Sequence, residues 1–248
     1  MDLIILISAA FGAGILNTIA GGGTFLTFPA LVFAGISPVA ANATSAVAVF
    51  PGYLGGAVGF QQELKEFDRS VLIRLTIMTI FGGIIGSGLL LFSSNRAFSL
   101  VVPFLLLAST LIFLFSDNIR RFTENYSRSF TAYSSIGIFF ASIYGGYFNG
   151  GLGIVLLALF SLWGMINIHQ MNGLKSGLSF VLSAISVLIF SIGGLVEWYE
   201  AIVMMIASSA GGYAGAPIAR FLSKKVVRAI VAVVGFVMSG VFFLRLLN

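Results

Sequence analysis

The sequence predicts an all-α integral membrane protein, and three observations carry that expectation. Of the 248 residues 58% are hydrophobic and only 8% charged, and the mean hydropathy of +1.07 lies far from the balance of a water-soluble domain. The charges fall in clusters separated by apolar runs of roughly 20 residues, the length of a membrane-crossing helix, whereas barrel strands alternate over about ten. The apolar sequence is also interrupted twice by glycines mixed with amides and hydroxyls, at Asn17-Thr-Ile-Ala-Gly-Gly-Gly-Thr24 and at Phe148-Asn-Gly-Gly-Leu-Gly153. Backbone freed from a helix at membrane depth must be satisfied by protein or by a polar cavity. These observations predict about eight transmembrane helices in two repeats of four, with broken helices at the glycine-rich segments.

In chain order, Leu3–Ala20 is the first expected span, read as a retained helix because no basic region or cleavage site accompanies it. Thr24–Gly35 contains Pro29 and reaches only about half the bilayer. Ser37-Pro38 restarts the chain, proline suiting a helix's first turn, and Val39–Phe60 is long enough to cross. The second crossing is thus a half-helix, a polar elbow and a full helix carrying Asn42, Thr44 and Ser45 near its start. Gln61–Arg69 is a charged loop without a catalytic pairing. Val71–Phe92 follows, with Gly82 and Gly86 spaced for close helix contact, then Ala97–Phe115 with a kink expected at Pro103.

Asp117–Ser129 is the longest polar connection and divides the chain into a first repeat, 1–116, a connecting loop, 117–129, and a second repeat, 130–248. A shift of 130 residues lays Asn42 on Asn172, Phe60 on Phe190 and Gly21 on Gly151; a shift of 129 lays Gly82 and Gly86 on Gly211 and Gly215. The second-half spans are Thr131–Phe148, Ile154–Gly164 with Asn172–Ile192, Tyr199–Leu222 and Val226–Leu247. Four crossings per copy make the repeats parallel, about an axis normal to the membrane; full crossing by the half-helices would invert them. Lys and Arg are nearly balanced between the two sides, and both termini are placed outside.

Composition narrows the chemistry. There is no cysteine, and the lone histidine makes a His-based metal site improbable, so no metal or other cofactor is expected. The thirteen basic residues form no continuous stripe for nucleic acid, anionic lipid headgroups being the simpler partner. No GxxxxGK[ST] loop is present to bind a nucleotide. Paired broken segments at matching places in two halves point to the central site of a transporter. The substrate-binding candidates are Asn17, Gly21, Gly22, Gly23, Asn42, Thr44 and Ser45 in the first half, and Asn149, Gly150, Gly151, Asn172 and Lys175 in the second. The glycine breaks offer peptide N–H groups and helix N-termini to an anion. An ionisable residue in an otherwise uncharged span is a functional candidate by default, and Lys175 supplies the positive charge an anionic substrate needs. Thr44, Ser45 and Lys175 are expected to converge on that anion, and the two breaks to meet near the bilayer midplane. Each has a structural alternative: asparagines also bond helices together, and Lys175 could snorkel or pair with Glu197. His169 is a candidate for proton coupling.

The motifs Asn17-Thr-Ile-Ala-Gly-Gly-Gly-Thr-Phe-Leu-Thr-Phe-Pro29, Gly35-Ile-Ser-Pro38, Ala41-Asn-Ala-Thr-Ser45, Asn149-Gly-Gly-Leu-Gly153 and Met171-Asn-Gly-Leu-Lys175 resemble the sulfite exporter TauE/SafE family of bacterial transporters. The resemblance covers nearly the whole chain. It implies a multi-span transporter of sulfite, sulfonates or related small organic anions, exporting across the cytoplasmic membrane rather than acting as an enzyme. The second elbow departs from the family's Gly-Thr-Ser type at Asn172-Gly-Leu-Lys175, where the lysine favours an anion. The alternatives are a passive anion channel and, more remotely, an intramembrane hydrolase pairing Ser45 with Lys175. The sequence leaves oligomeric state open, a homo-oligomer included.

Overall fold

A computed structural model of the chain describes residues 2–19, 22–115, 118, 134–221 and 224–247. It is helical throughout, with no strand among the described residues. The helices are α1 (Asp2–Ile19), α2 (Thr24–Phe33), α3 (Pro38–Gly59), α4 (Gln61–Lys65), α5 (Arg69–Leu91) and α6 (Asn95–Leu114), followed by α7 (Ser135–Tyr147), α8 (Leu152–Leu162), α9 (Ile168–Ile192), α10 (Trp198–Phe221) and α11 (Lys224–Leu247). Pro38 opens α3, as its fixed φ favours, and the Asn167 side chain caps α9 by accepting the N–H groups of His169 and Gln170. The half-helices end alike: Gly35 after α2 and Gly164 after α8 have φ of 90° and 80°, a left-handed turn only glycine makes without strain. Gly21 and, apart from residue 118, the expected loop 117–129 lie outside the described residues.

Large side chains such as Phe28, Leu31 and Phe98 fill the core, but on α5 small residues and hydroxyls are buried while large aliphatic side chains face outward. On α5, Thr79, Gly82, Gly83, Gly86 and Ser87 are buried whereas Ile77, Phe81, Ile84 and Leu89 are exposed. Between helices in lipid, close backbone approach and hydrogen bonds replace the hydrophobic drive that water supplies. The closest approaches join the two halves: α1 packs along α10 and α5 along α7. A Cβ at Gly86 would lie 2.2 Å from the Ile143 carbonyl oxygen, and one at Gly211 would lie 2.0 Å from that of Phe11, so these faces admit only glycine.

Contact order along the helices overturns the expected parallel repeats. Phe50 stacks on Phe180 at 5.4 Å, Gly56 meets Ser176, and Gly173 meets Phe60, so α3 and α9 run antiparallel. The same holds for α6 and α11, where Thr110 meets Gly235 while the Pro103 carbonyl accepts the Ser239 hydroxyl at 2.9 Å. Two copies related by an axis normal to the membrane would set these equivalent helices parallel. The error lay in counting α1 as a full crossing. A Cβ at Gly52 would lie 3.9 Å from Asn17 Nδ2, so α1 ends about one turn past the middle of α3, and α2 turns back from there. Each α1–α2 or α7–α8 pair is a hairpin reaching mid-depth, which leaves an odd number of crossing helices per half among the described residues, α3, α5 and α6 in the first and α9, α10 and α11 in the second.

Candidate functional site

The two glycine-rich breaks meet at the middle of α3. In the first, Asn17 Oδ1 accepts the Gly23 N–H at 2.8 Å, closing the turn between α1 and α2 where a Cβ at Gly23 would lie 2.7 Å from the Ala13 carbonyl oxygen. In the second, Phe148 leaves α7 in an extended conformation and Gly151, at φ 75°, starts α8 from the left-handed region. Tyr53 of α3 links the two, its neighbour Gly52 lying beside Asn17 and its hydroxyl donating to Asn149 Oδ1 at 3.4 Å. Phe25 at the start of α2 packs over Gly151, opposite Ser109, and the Tyr144 hydroxyl donates to the Gly150 carbonyl. Gly22, Gly23, Asn149, Gly150 and Gly151 are all buried.

The electrostatic consequence comes from the helices. Both α2 and α8 begin at these breaks, where the Phe25 and Leu26 N–H groups turn to the Gly22 and Gly23 carbonyls and those of Leu152 and Ile154 to the Asn149 and Gly151 carbonyls, so the breaks present chiefly the helix dipoles. Two positive dipole ends therefore point at one small region from opposite directions, an arrangement suited to negative charge. Sequence reasoning found Asn17, Gly22, Gly23, Asn149, Gly150 and Gly151 here and missed Tyr53, Phe25, Ser109 and Tyr144. The signal for Tyr53 was a tyrosine following Pro51-Gly52 midway along an apolar span, with a hydroxyl that needs a partner.

The elbows lie elsewhere, at opposite ends of the antiparallel α3–α9 pair. Asn42 is 1% exposed and donates through Nδ2 to the Tyr147 carbonyl at 3.0 Å. Thr44 Oγ1 accepts the Glu197 N–H at 3.0 Å, and the Ser45 and Thr27 hydroxyls share a 2.6 Å bond. These bonds tie α3 to α2, α7 and the start of α10. At the other end, Lys175 Nζ donates to Asn172 Oδ1 at 3.0 Å and makes no ion pair with a described carboxylate, Glu197 included. Ser176 packs on Gly56, eleven residues beyond Ser45, so Lys175 and Ser45 are separated by about 16 Å of helix rise. The expected convergence of Lys175 with Thr44 and Ser45 does not occur, and no Ser45–Lys175 nucleophile pair exists. The antiparallel setting of α3 and α9, invisible in the sequence, is the reason. His169 is exposed at the start of α9, beside Gln170, which donates to Glu66 at 2.6 Å.

Two other features do not compete for an anion. A groove of about 480 Å³ between α6, α7 and α8 is lined by Ile112, Phe140, Val155, Leu159 and Tyr144, with no charged side chain among the described residues that line it. Among the described residues no group of three or more His, Cys, Asp or Glu comes together to bind a metal.

The family model for sulfite exporter TauE/SafE matches residues 6–242, which contain both breaks and both elbows. The chain belongs to this family. The chain is similar to a probable membrane transporter protein of Haemophilus influenzae, 28% identical over 96% of this chain and 93% of that protein's length. The probable membrane transporter protein YfcA of Escherichia coli is 26% identical over 95% and 87%, and the probable membrane transporter protein ORF9 of a Sinorhizobium species 22% identical over 96% and 90%. No solved structure matches. The chain is thus a multi-pass membrane protein of a transporter family, not an enzyme, with the helical apolar architecture such a protein requires.

Proposed function

We propose that this protein moves a small sulfur-containing anion, sulfite, a sulfonate or a related organic anion, across the cytoplasmic membrane by alternating access, in the direction of export and with both termini outside. The observation that carries the reading is the convergence of the α2 and α8 N-termini on the paired breaks. An oxyanion leaving water needs several donors at once, and the Asn17 and Asn149 amide NH2 groups and the peptide N–H groups of Gly22, Gly150 and Gly151 supply them without a buried countercharge, while the Gly23 N–H and the Tyr53 hydroxyl hold the two asparagine side chains in place. Gly21 completes the first break in sequence. Lys175 stands toward one end of α9, about 12 Å from the middle of α3 along the axis, where its charge draws anions to the mouth of the pathway. Asn172 holds that ammonium in place, while Asn42, Thr44 and Ser45 fix the opposite end of α3.

The glycine faces suggest which parts move together. Backbone contact at Gly82, Gly86 and Gly146 grips α7–α8 to α5, and contact at Gly14 and Gly211 grips α1–α2 to α10. Sliding then falls to α3 and α9, which meet largely through side chains, so the two hairpins rock in opposite senses around the anion. Thermal shift of the purified protein against sulfite, sulfate, thiosulfate, sulfoacetate and short carboxylates tests the substrate class, because a ligand that binds only the folded state raises the melting temperature. Saturable counterflow of the stabilising anion in proteoliposomes is the expected companion result. Flux that rises linearly with concentration, with no stabilising anion, would favour a channel.

A further inference from the structure

We propose that the first-half elbow holds a sodium ion, at the C-terminal end of α7, and that this ion is coupled to the anion. Asn42 carries a buried oxygen with no hydrogen-bond partner among the described residues. Its amide nitrogen is turned toward the Tyr147 carbonyl, 3.0 Å away, which leaves Oδ1 buried and without a hydrogen bond from any described residue. Such an acceptor normally costs stability in an apolar interior. The same amide faces the Tyr147 carbonyl, and one residue back the Gly146 carbonyl lies beside Ser87 and Ser186, further oxygens of the same kind. Because α7 stops at Tyr147 and Phe148 turns extended, the Gly146 and Tyr147 carbonyls lose the N–H groups a continuing helix would give them. The Ser87 hydroxyl lies 3.4 Å from the Gly146 carbonyl and 2.8 Å from Ser186 Oγ, with a single proton for two acceptors.

This layer therefore offers two carbonyls, one amide oxygen and two hydroxyls at the negative end of a helix dipole. The donors are hard, which suits an alkali or alkaline-earth ion rather than a soft metal. The set contains no carboxylate, so its charge matches a monovalent ion better than calcium or magnesium, which take carboxylates.

The second half supplies an independent comparison. Asn42 and Asn172 are each the fifth residue of their helix, α3 and α9. Asn172 Oδ1 accepts from a cation carried by the chain itself, the Lys175 ammonium, at 3.0 Å. At the corresponding place in the first half stands Ser45, whose hydroxyl is turned to Thr27. One elbow asparagine thus has a tethered cation, and the other has a vacant acceptor beside helix-end carbonyls. Coupling follows from position: Tyr147 is two residues from Asn149, so an ion drawing the α7 terminus together also sets the second glycine break. That last step rests on the anion-transport reading; binding of the ion does not.

The experiment uses the purified full chain in detergent with no candidate substrate. Melting temperature is followed as sodium chloride replaces choline chloride at constant ionic strength, with potassium chloride as a second series. A saturable rise with sodium, larger than with potassium, is expected. Ser186→Ala and Asn42→Ala each remove one oxygen and should weaken the apparent sodium affinity by about tenfold or more, while Ser186→Thr keeps the hydroxyl and the response. Should Asn42→Ala fail to fold, Ser87→Ala takes its place beside Ser186→Ala. Identical melting in sodium, potassium and choline, or a sodium response unchanged in the serine variants, would overturn the site. Failure of sodium to bind leaves the anion screen unaffected, and failure of that screen leaves the sodium series intact.

Discussion

Replacing Gly86 by alanine tests whether helix contact in this bundle is backbone against backbone. The added Cβ would lie 2.2 Å from the Ile143 carbonyl oxygen and 2.9 Å from the Tyr147 nitrogen, where ordinary contact begins at 3.4 Å. Relief requires α5 and α7 to part by the difference, 3.4 − 2.2, or about 1.2 Å, since neither obstacle is a movable side chain. Overpacking of this kind costs about 1–3 kcal/mol. Alanine's better helix propensity offsets up to about 1 kcal/mol of it. Gly88, on the same helix, has nothing within 4 Å of its Cβ position, so Gly88→Ala keeps the propensity gain alone. The two variants should differ by the overpacking cost, with a melting temperature lower for Gly86→Ala by about 2–4 °C per kcal/mol. Circular dichroism of the detergent-purified proteins on heating reads this directly. Equal melting temperatures would refute the close-contact account, and with it the assignment of α5, α7 and α8 to one moving body.

Three further outcomes follow from the site. Tyr53→Phe removes the hydroxyl that faces Asn149 and should weaken binding of the stabilising anion by about 0.5–1.5 kcal/mol in isothermal titration; undiminished affinity would take Tyr53 out of the site. Lys175→Met should raise the half-saturating anion concentration in transport and reduce its dependence on salt, because a charge at the mouth acts at long range and is screened. Complete loss of binding in a well-folded Lys175→Met protein would instead put the ammonium on the anion. Thr44→Val strands the Glu197 N–H and should lower stability by about 1–3 kcal/mol with anion affinity preserved, an outcome reversed if the Thr44 hydroxyl belongs to the anion site.

The sequence by itself determined the membrane class, the helix positions and the two breaks, because each is local. A run of apolar residues, Pro38 at a helix start, or glycines inside lipid-like sequence constrain the chain within a few residues whatever surrounds them. It also placed Gly82 and Gly86 on a close-packed face and paired Asn42 with Asn172, since spacing and internal similarity survive in the linear order. Direction was decided only in three dimensions. Whether α1 crosses or turns back at mid-depth depends on Asn17 closing a turn beside Gly52, a contact across 35 residues that no periodicity records. From that turn follows the antiparallel setting of α3 and α9. It sends Lys175 and Ser45 to opposite ends while bringing Asn17, Tyr53 and Asn149 together at the centre. Helix dipoles explain why this matters for function: α2 and α8 present their positive ends to a common point only because the two hairpins enter from opposite sides.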